Sequence, residues 1–395
     1  MDRFTGTPGP APWRQWGDHI EDNAIAQLRV ACELPIAARG ALMPDAHLGY
    51  GLPVGGVLAT RNAVIPYAVG VDIACRMKLS VFAAPAKRLR GQDDRLRKLL
   101  ENETRFGIGA AFDDRRQHAV MDEDWSVTAI TRKLKDKAWS QLGTSGTGNH
   151  FVEFGVFDVD HDGLGIAPGS WFALLMHSGS RGTGASVADH YSRLAAAEHP
   201  ELEGASKQLA WLMLDSESGQ EYWRAMELMG RYAAANHACI HAAIARALGE
   251  KVAMSIENHH NFAWRETHFG EDVIVHRKGA TPAGAGVLGV IPGSMATPSF
   301  VVRGRGEPES MHSAAHGAGR AMSRSAARQR FTWKDARPVL EAGGVTLLSA
   351  GIDEAPMVYK DIHAVMAAQA DLVETVATFQ PRMVKMAPAG EKAED

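Results

Sequence analysis

Asp72 and Cys75 are separated by two residues, so one local turn can direct a carboxylate and a thiolate to the same point. His150 ends a Gly-rich loop, while His177 and the pair His259 and His260 follow short runs of β-forming residues. As a set these side chains offer oxygen, sulfur and nitrogen donors. That mixture suits a borderline ion such as zinc, manganese or cobalt better than magnesium or calcium, whose ligands are oxygen alone. A thiolate can bridge, so two ions sharing Cys75 are feasible. Alone, Cys75 would read as a small buried hydrophobe.

Around these residues lie three loops open to phosphate: "GTSGTG" (143–148), "SGSRGTG" (178–184) and "HGAGR" (316–320). Each offers backbone N–H groups with little Cβ obstruction, and Arg181 and Arg320 add planar guanidinium forks that match phosphate oxygens. Three such loops imply a polyphosphate or a phosphodiester. Other nucleotide signatures fail. "GAGVLG" (284–289) fits G-x-G-x-x-G but runs into Pro292 with no helix behind it, which excludes a dinucleotide fold. No Gly-Lys dipeptide exists for a Walker A loop, and the Lys-x-Asp-Gly motif of lysine-adenylating ligases is absent.

The elements that would position these groups are short β-rich runs breaking into Gly, Ser or Asn loops: "WFALLMH", "KVAMSI", "DVIVH" and "VIPYAVGVDIAC". Polar groups delivered from strand ends onto loops are how a rigid sheet displays an active site. The clearest helix spans about 218–249, with apolar residues at three- and four-residue spacing and a stop at Gly249. His237 and His241 sit four residues apart on it, and without a His-Glu-x-x-His acid they read as packing rather than as a metal pair.

With 395 residues, 45% hydrophobic and 22% charged, the chain has the balance of a globular protein. No linker or repeat divides it, so it reads as a single catalytic domain over 1–395, with the polar N-terminal dozen and "APAGEKAED" as frayed ends. Three cysteines with no Cys-x-x-Cys pair point to a reducing compartment, and no signal-like segment or membrane span is present; the expectation is a cytoplasmic protein with no membrane partner. A formal net charge of -4 excludes coating nucleic acid by bulk electrostatics, so any polyanion contact must be local. The basic stretches "KRLRGQDDRLRKLL" (87–100) and "RSAARQR" (324–330) read as solvated helix faces.

The motifs resemble one family, the RNA-splicing ligases called RtcB. The matching segments are "MPDAHLGYGLPVGGVLAT" (43–60), "VGVDIACRM" (69–77), "GTSGTGNHFVEF" (143–154), "MHSGSRGTG" (176–184), "HHNFAW" (259–264), "HRKGATPAG" (276–284), "IPGSMATPSFVVRG" (291–304) and "AAHGAGRAMSR" (314–324). They run in family order, and "DEAPMVYKDI" beyond them also fits. The resemblance implies an α+β fold, with sheets flanked by helices around a central cleft. It implies two manganese ions on Asp72, Cys75, His150, His177 and His260, with His260 preferred over His259 because it directly precedes Asn261. It further implies GTP as cofactor, His316 as the nucleophile that accepts guanylate, and Asp45 as an acid of the active-site region. Asn149, Glu153, Ser294, Ser299, Ala318 and Gly319 match positions that hold the guanylate, and the Glu153 carboxylate suits the paired N–H donors of a guanine edge.

One departure stands out. The family ends in a short Val-Lys-Gly whose Lys reaches the guanine, whereas here Lys385 lies ten residues before the end of "MVKMAPAGEKAED"; it is the nearest equivalent. The implied activity is GTP-dependent joining of RNA 3′-phosphate or 2′,3′-cyclic phosphate ends to 5′-hydroxyl ends, in tRNA splicing or RNA repair, with an activating protein as a further partner. Two rivals differ in what they need. A metal-dependent phosphodiesterase has no use for a nucleophilic His316 or a base-reading Glu153, and a non-catalytic nucleotide- or RNA-binding module has no use for an intact set of metal ligands.

Overall fold

A computed structural model describes residues 10–391. The first nine residues and the last four, parts of the segments read above as frayed, lie outside them. The fold is α+β, built on two sheets that are mostly antiparallel. The first runs in the order Trp13–Gln15, Ala37–His47, Val54–Thr60, Glu271–Lys278, Asn261–His268. The second runs Leu288–Ile291, Ser299–Gly304, Val373–Met386, Phe151–Val159, Gly169–Ser178, Arg76–Pro85, Val252–His259, with Thr346–Ser349 added in parallel against Val373–Met386.

The second sheet curls until its first and last strands meet. No backbone ladder joins them. Instead the buried Asn258 amide accepts from Val290 N at 2.8 Å and donates to Val290 O at 3.2 Å, so one side chain mimics a rung of the missing ladder. Two residues later the chain leaves this sheet for the first one, and His260 occupies the crossing, where its N–H donates to Cys75 O at 3.0 Å.

The predicted long helix is Glu217–Leu248. Ser216 caps it by accepting from Gly219 N, and Gly249 ends it at φ 71, the left-handed conformation that costs glycine least. Its buried face, including Tyr222, Met226, Met229 and Tyr232, packs with the helices Ala129–Gln141 and Arg181–Glu198 into one apolar cluster. One of the four predicted β-runs is not a strand throughout. "VIPYAVGVDIAC" opens on Val64, the second residue of the strand Ala63–Val64, and then forms the short helix Pro66–Val69, because Pro at the first helical position presets φ for a helix and cannot donate to a sheet. "SGSRGTG" is likewise only partly a loop, since Arg181 begins the helix Arg181–Glu198. "GAGVLG" leads into the strand Leu288–Ile291 with no helix behind it.

The register of the central pair is set sterically at Gly155. A Cβ there would lie 2.3 Å from Gln380 O and 2.4 Å from the Phe379 ring. Gly155→Ala should therefore lower stability by about 1–3 kcal/mol, the usual cost of overpacking. A urea midpoint equal to wild type would contradict this packing.

Candidate active site

The segment carrying Asp72 and Cys75 is a tight turn closed by Cys75 N donating to Asp72 O at 3.2 Å. Between them Ala74 adopts φ 58, a conformation that costs a residue with a Cβ about 1 kcal/mol and that collects at functional sites. Asn261 holds the turn from outside: its O accepts from Ala74 N at 2.7 Å, and its Nδ2 donates to Asp72 O at 3.2 Å. The Asp72 carboxylate is cradled by the loop after His177. Ser180 N donates to Oδ1 at 3.0 Å, and Gly179 lies so close that a Cβ would sit 2.1 Å from both carboxylate oxygens. Burial alone would raise the Asp72 carboxyl, but the hydrogen bond and charge of His150 hold it below its ordinary value.

Three further donors, all histidines, converge on this turn. Cys75 Sγ is 3.1 Å from His177 Nε2 and 3.5 Å from His150 Nε2. His150 Nε2 is 3.1 Å from Asp72 Oδ2, and His177 Nε2 is 3.1 Å from His260 Nε2. The His177 ring is oriented by Asn149, whose carbonyl lies 3.2 Å from Nδ1. A carbonyl can only accept, so Nδ1 carries the proton and Nε2 presents a lone pair to Cys75 and His260. Burial, then the neighbouring His150, pushes His177 down to about 3, and burial likewise drives His260 well below the ordinary imidazole value. Neutral nitrogens and a sulfur facing one another inside a protein repel unless a cation sits among them, so the donor set fits a metal ion. Cys75, His150 and His177 have ligand atoms that all lie within 4.8 Å of one another. Asp72 adjoins this group through His150, and His260 adjoins it through His177. His259 stands outside both, stacked on Trp264 with ring centroids 5.0 Å apart. His237 and His241 also stand apart: one faces Ser178 O at 3.1 Å, the other Ser80 Oγ at 2.8 Å.

The cluster forms one end of a cleft of about 540 Å³ whose walls come from both sheets. His316 lines it, its ring centroid 4.9 Å from that of His260. Beneath His316 lies Asp45, fully buried, whose Oδ2 accepts from His316 Nδ1 at 2.7 Å and from the backbone N–H groups of His316 and Gly317 at 3.2 and 3.3 Å. Asp45 therefore reaches the cleft only through the imidazole, and it leaves Nε2 of His316 as the nitrogen with a lone pair. Gly319, at φ 72, packs on the Asp45 carbonyl, where a Cβ would lie 2.1 Å from the oxygen. Asn149, Glu153, Ser294, Ser299, Ala318 and Gly319 all line the same cleft. Glu153 is 3% exposed, and burial raises its carboxyl well above the ordinary value.

Two predicted residues do not face the cleft. Lys385 pairs in register with Val152, whereas its neighbour Val384 pairs with Glu153. Strand alternation therefore sends Val384 to the cleft wall and Lys385 to the opposite face. There its Nζ donates to Leu100 O at 3.1 Å and Thr104 Oγ1 at 3.0 Å, and burial lowers it to about 8. Arg181 is 1% exposed. Starting its helix at φ 56, it reaches back beneath the 143–148 loop and donates to Thr144 Oγ1 at 3.0 Å and Gly107 O at 2.9 Å, so in this conformation it braces the loop. Arg320 does line the cleft, with its guanidinium directed to Met322 O, Asp353 O and Glu354. The basic stretch after it is largely paired, Arg324 and Arg328 both meeting Asp353.

Several supporting residues had no motif to announce them. Asn236 accepts from Gly143 N at 2.6 Å and donates to Thr144 O at 2.9 Å, pinning the Gly-rich loop from the long helix. His47 and Lys278 lie inside motifs that the sequence does single out, yet their roles emerge only from burial in the cleft wall, which lowers them to about 4 and about 7. Cys75→Ala should abolish divalent metal binding, and Gly179→Ala, which must displace the Asp72 carboxylate, should lower it markedly while the far-UV circular dichroism stays native. Elemental analysis showing wild-type metal content in both variants would refute the cluster.

Comparison with known proteins identifies the family. The family model described as tRNA-splicing ligase RtcB matches residues 27–128 and 115–386. The chain is 36% identical to the RNA-splicing ligase RtcB of Escherichia coli strain K12, over 94% of this chain and 96% of the relative. It is 31% identical to the tRNA-splicing ligase RtcB of Nanoarchaeum equitans, over 91% of each, and 32% identical to the RNA-splicing ligase RtcB of Mycobacterium tuberculosis, over 86% of this chain and 94% of that one. No helix among the described residues is long and apolar enough to cross a membrane. A match of this extent, on a chain whose Cys and His donors converge beside a buried Asp–His pair, places the protein in the RtcB family of RNA-splicing ligases.

Proposed function

We propose that the chain, acting as one catalytic domain, joins RNA 3′-phosphate or 2′,3′-cyclic phosphate ends to 5′-hydroxyl ends using GTP and manganese, which the Asp72, Cys75, His150, His177 and His260 side chains would hold. The observation that carries this reading is the His316–Asp45 pair at 2.7 Å, set in the same cleft as the metal-ligand cluster. Manganese, when bound by Asp72, Cys75, His150, His177 and His260, supplies positive charge next to the phosphates.

Asp45 keeps the proton on Nδ1 of His316, so the Nε2 lone pair attacks the α-phosphorus of GTP. The N–P bond forms as the bond to the pyrophosphate oxygen breaks, and pyrophosphate departs. The imidazolium character that develops is compensated by the buried Asp45 carboxylate. An RNA 3′-phosphate oxygen then takes the guanylate from Nε2, which restores neutral His316. Finally the 5′-hydroxyl oxygen attacks the activated 3′-phosphorus and GMP leaves. A 2′,3′-cyclic end must first be opened by water. Glu153, buried in the cleft wall, is suited to the guanine edge. Burial raises its carboxyl well above the ordinary value, and paired N–H donors would favour the carboxylate.

With labelled GTP and manganese the protein should acquire an acid-labile, base-stable label. His316→Ala should lose this adduct while keeping its metal, and should still seal RNA whose 3′-phosphate is already guanylylated; an adduct on His316→Ala would name another nucleophile. Wild type should be labelled by GTP far better than by ATP, a preference that Glu153→Gln should narrow by at least tenfold, since a site built for hydrogen bonds discriminates strongly against a mismatched partner. Equal labelling of wild type by the two nucleotides would remove Glu153 from base recognition.

A further inference from the structure

The turn between the strands Ala37–His47 and Val54–Thr60 presents two large apolar side chains at the mouth of the cleft, Leu48 at 54% and Tyr50 at 63% exposed. Single exposed hydrophobics are ordinary, but this turn is held with unusual firmness. The Gln27 amide grips Gly49 on both sides, donating to its O at 2.6 Å and accepting from its N at 3.0 Å. Gln208 Oε1 accepts from Gly51 N at 2.9 Å. The buried Lys278 ammonium donates to Tyr50 O and, at 3.1 Å, to Tyr67 O. Three side chains from three separate segments thus fix three consecutive backbone units, while the side chain of the middle one is left in solvent. A ring displayed this way loses little conformational freedom on meeting a partner.

Its position says which partner. The far end of the same turn, Val54, flanks His316: a Cβ on Gly279 would lie 2.3 Å from Val54 Cγ1 and 3.2 Å from His316 Cε1. The residues suited to guanine, Glu153, Ser294 and Ser299, belong instead to the second sheet and the turn beside it. The turn therefore borders the cleft beside His316, where the chemistry would take place. What must arrive on that side is an RNA end, which is single-stranded and has unstacked bases with apolar faces. Aromatic rings are the general means of holding such bases.

We propose that Tyr50, with Leu48 beside it, is a stacking platform for the unpaired base adjoining the RNA end that is being joined. This rests on the ligase reading above and adds to it the residue that grips the strand. The test uses the full chain with manganese, GTP and a short RNA pair. Protein labelling by GTP needs no RNA, so it tests the ligase reading by itself: failure of wild type to label overturns that reading, whatever Tyr50 does. With labelling intact, Tyr50→Ala should raise KM for RNA by about tenfold, the usual effect of losing one base stack, while Tyr50→Phe stays within about twofold. Removing the base from the junction nucleotide, on the 3′-phosphate strand or the 5′-hydroxyl strand, should weaken wild type on one strand only, and Tyr50→Ala should be insensitive to that same change. The platform is overturned by an unchanged RNA KM in Tyr50→Ala, by a loss in Tyr50→Phe equal to that in Tyr50→Ala, or by equal sensitivity of wild type and Tyr50→Ala to the abasic RNAs.

Discussion

Neutral imidazoles and a thiol do not gather in a protein interior for their own sake. Here Cys75 Sγ and the Nε2 atoms of His150, His177 and His260 approach one another at 3.1–3.5 Å, and each is buried. Crowding so many nitrogen and sulfur donors in a medium of low dielectric is costly unless a cation sits among them. The surrounding backbone holds them in place. The Asp72–Cys75 turn is tied to Asn261, the Asp72 carboxylate is held by the Ser180 N–H, and His177 is held by the Asn149 carbonyl. Each of these ties comes from a different part of the chain, so the centre exists only once the whole fold does.

The same dependence explains the curl of the second sheet. Its strands deliver His177 and the segment leading to His260 from one end, while its first two strands bring Ser294 and Ser299 to the cleft. An open, flatter sheet would separate these groups by the width of several strands. The Asn258 amide, bridging to both polar atoms of Val290, is the seam that keeps them together. A side chain bridges there because no ladder joins the two strands, yet each still has backbone groups that must be satisfied.

Charge is distributed unevenly across the cleft. On the His316 side the fully buried Asp45 is matched by three donors, and Arg320 and Arg324 are matched to Asp353 and Glu354. On the opposite wall burial has pushed the Glu153 carboxyl toward its neutral form. A polyanion entering such a site meets little uncompensated negative charge, even though the whole chain carries a formal net charge of -4. Local neutralisation, rather than overall charge, is the relevant electrostatic quantity for this protein.

The sequence by itself determined the donor types, the turn that joins Asp72 to Cys75, the long helix with its stop at Gly249, and, through the order of its motifs, the family. These are properties of residues near one another in the chain, or of residue types whose chemistry is restrictive wherever they sit. Tertiary structure decided matters of facing. Lys385 and Val384 are adjacent in sequence, and only strand register assigns one to the cleft and the other to Thr104. His259 and His260 are likewise adjacent, and the change of sheet between them turns one ring to Trp264 and the other to His177. Arg181 sits in a loop motif that looks ready for phosphate, but the helix that begins there carries its guanidinium beneath Thr144. In each case a rotation of about 180° per residue along a strand, or one left-handed residue at a helix start, chose between two environments that residue type alone cannot distinguish.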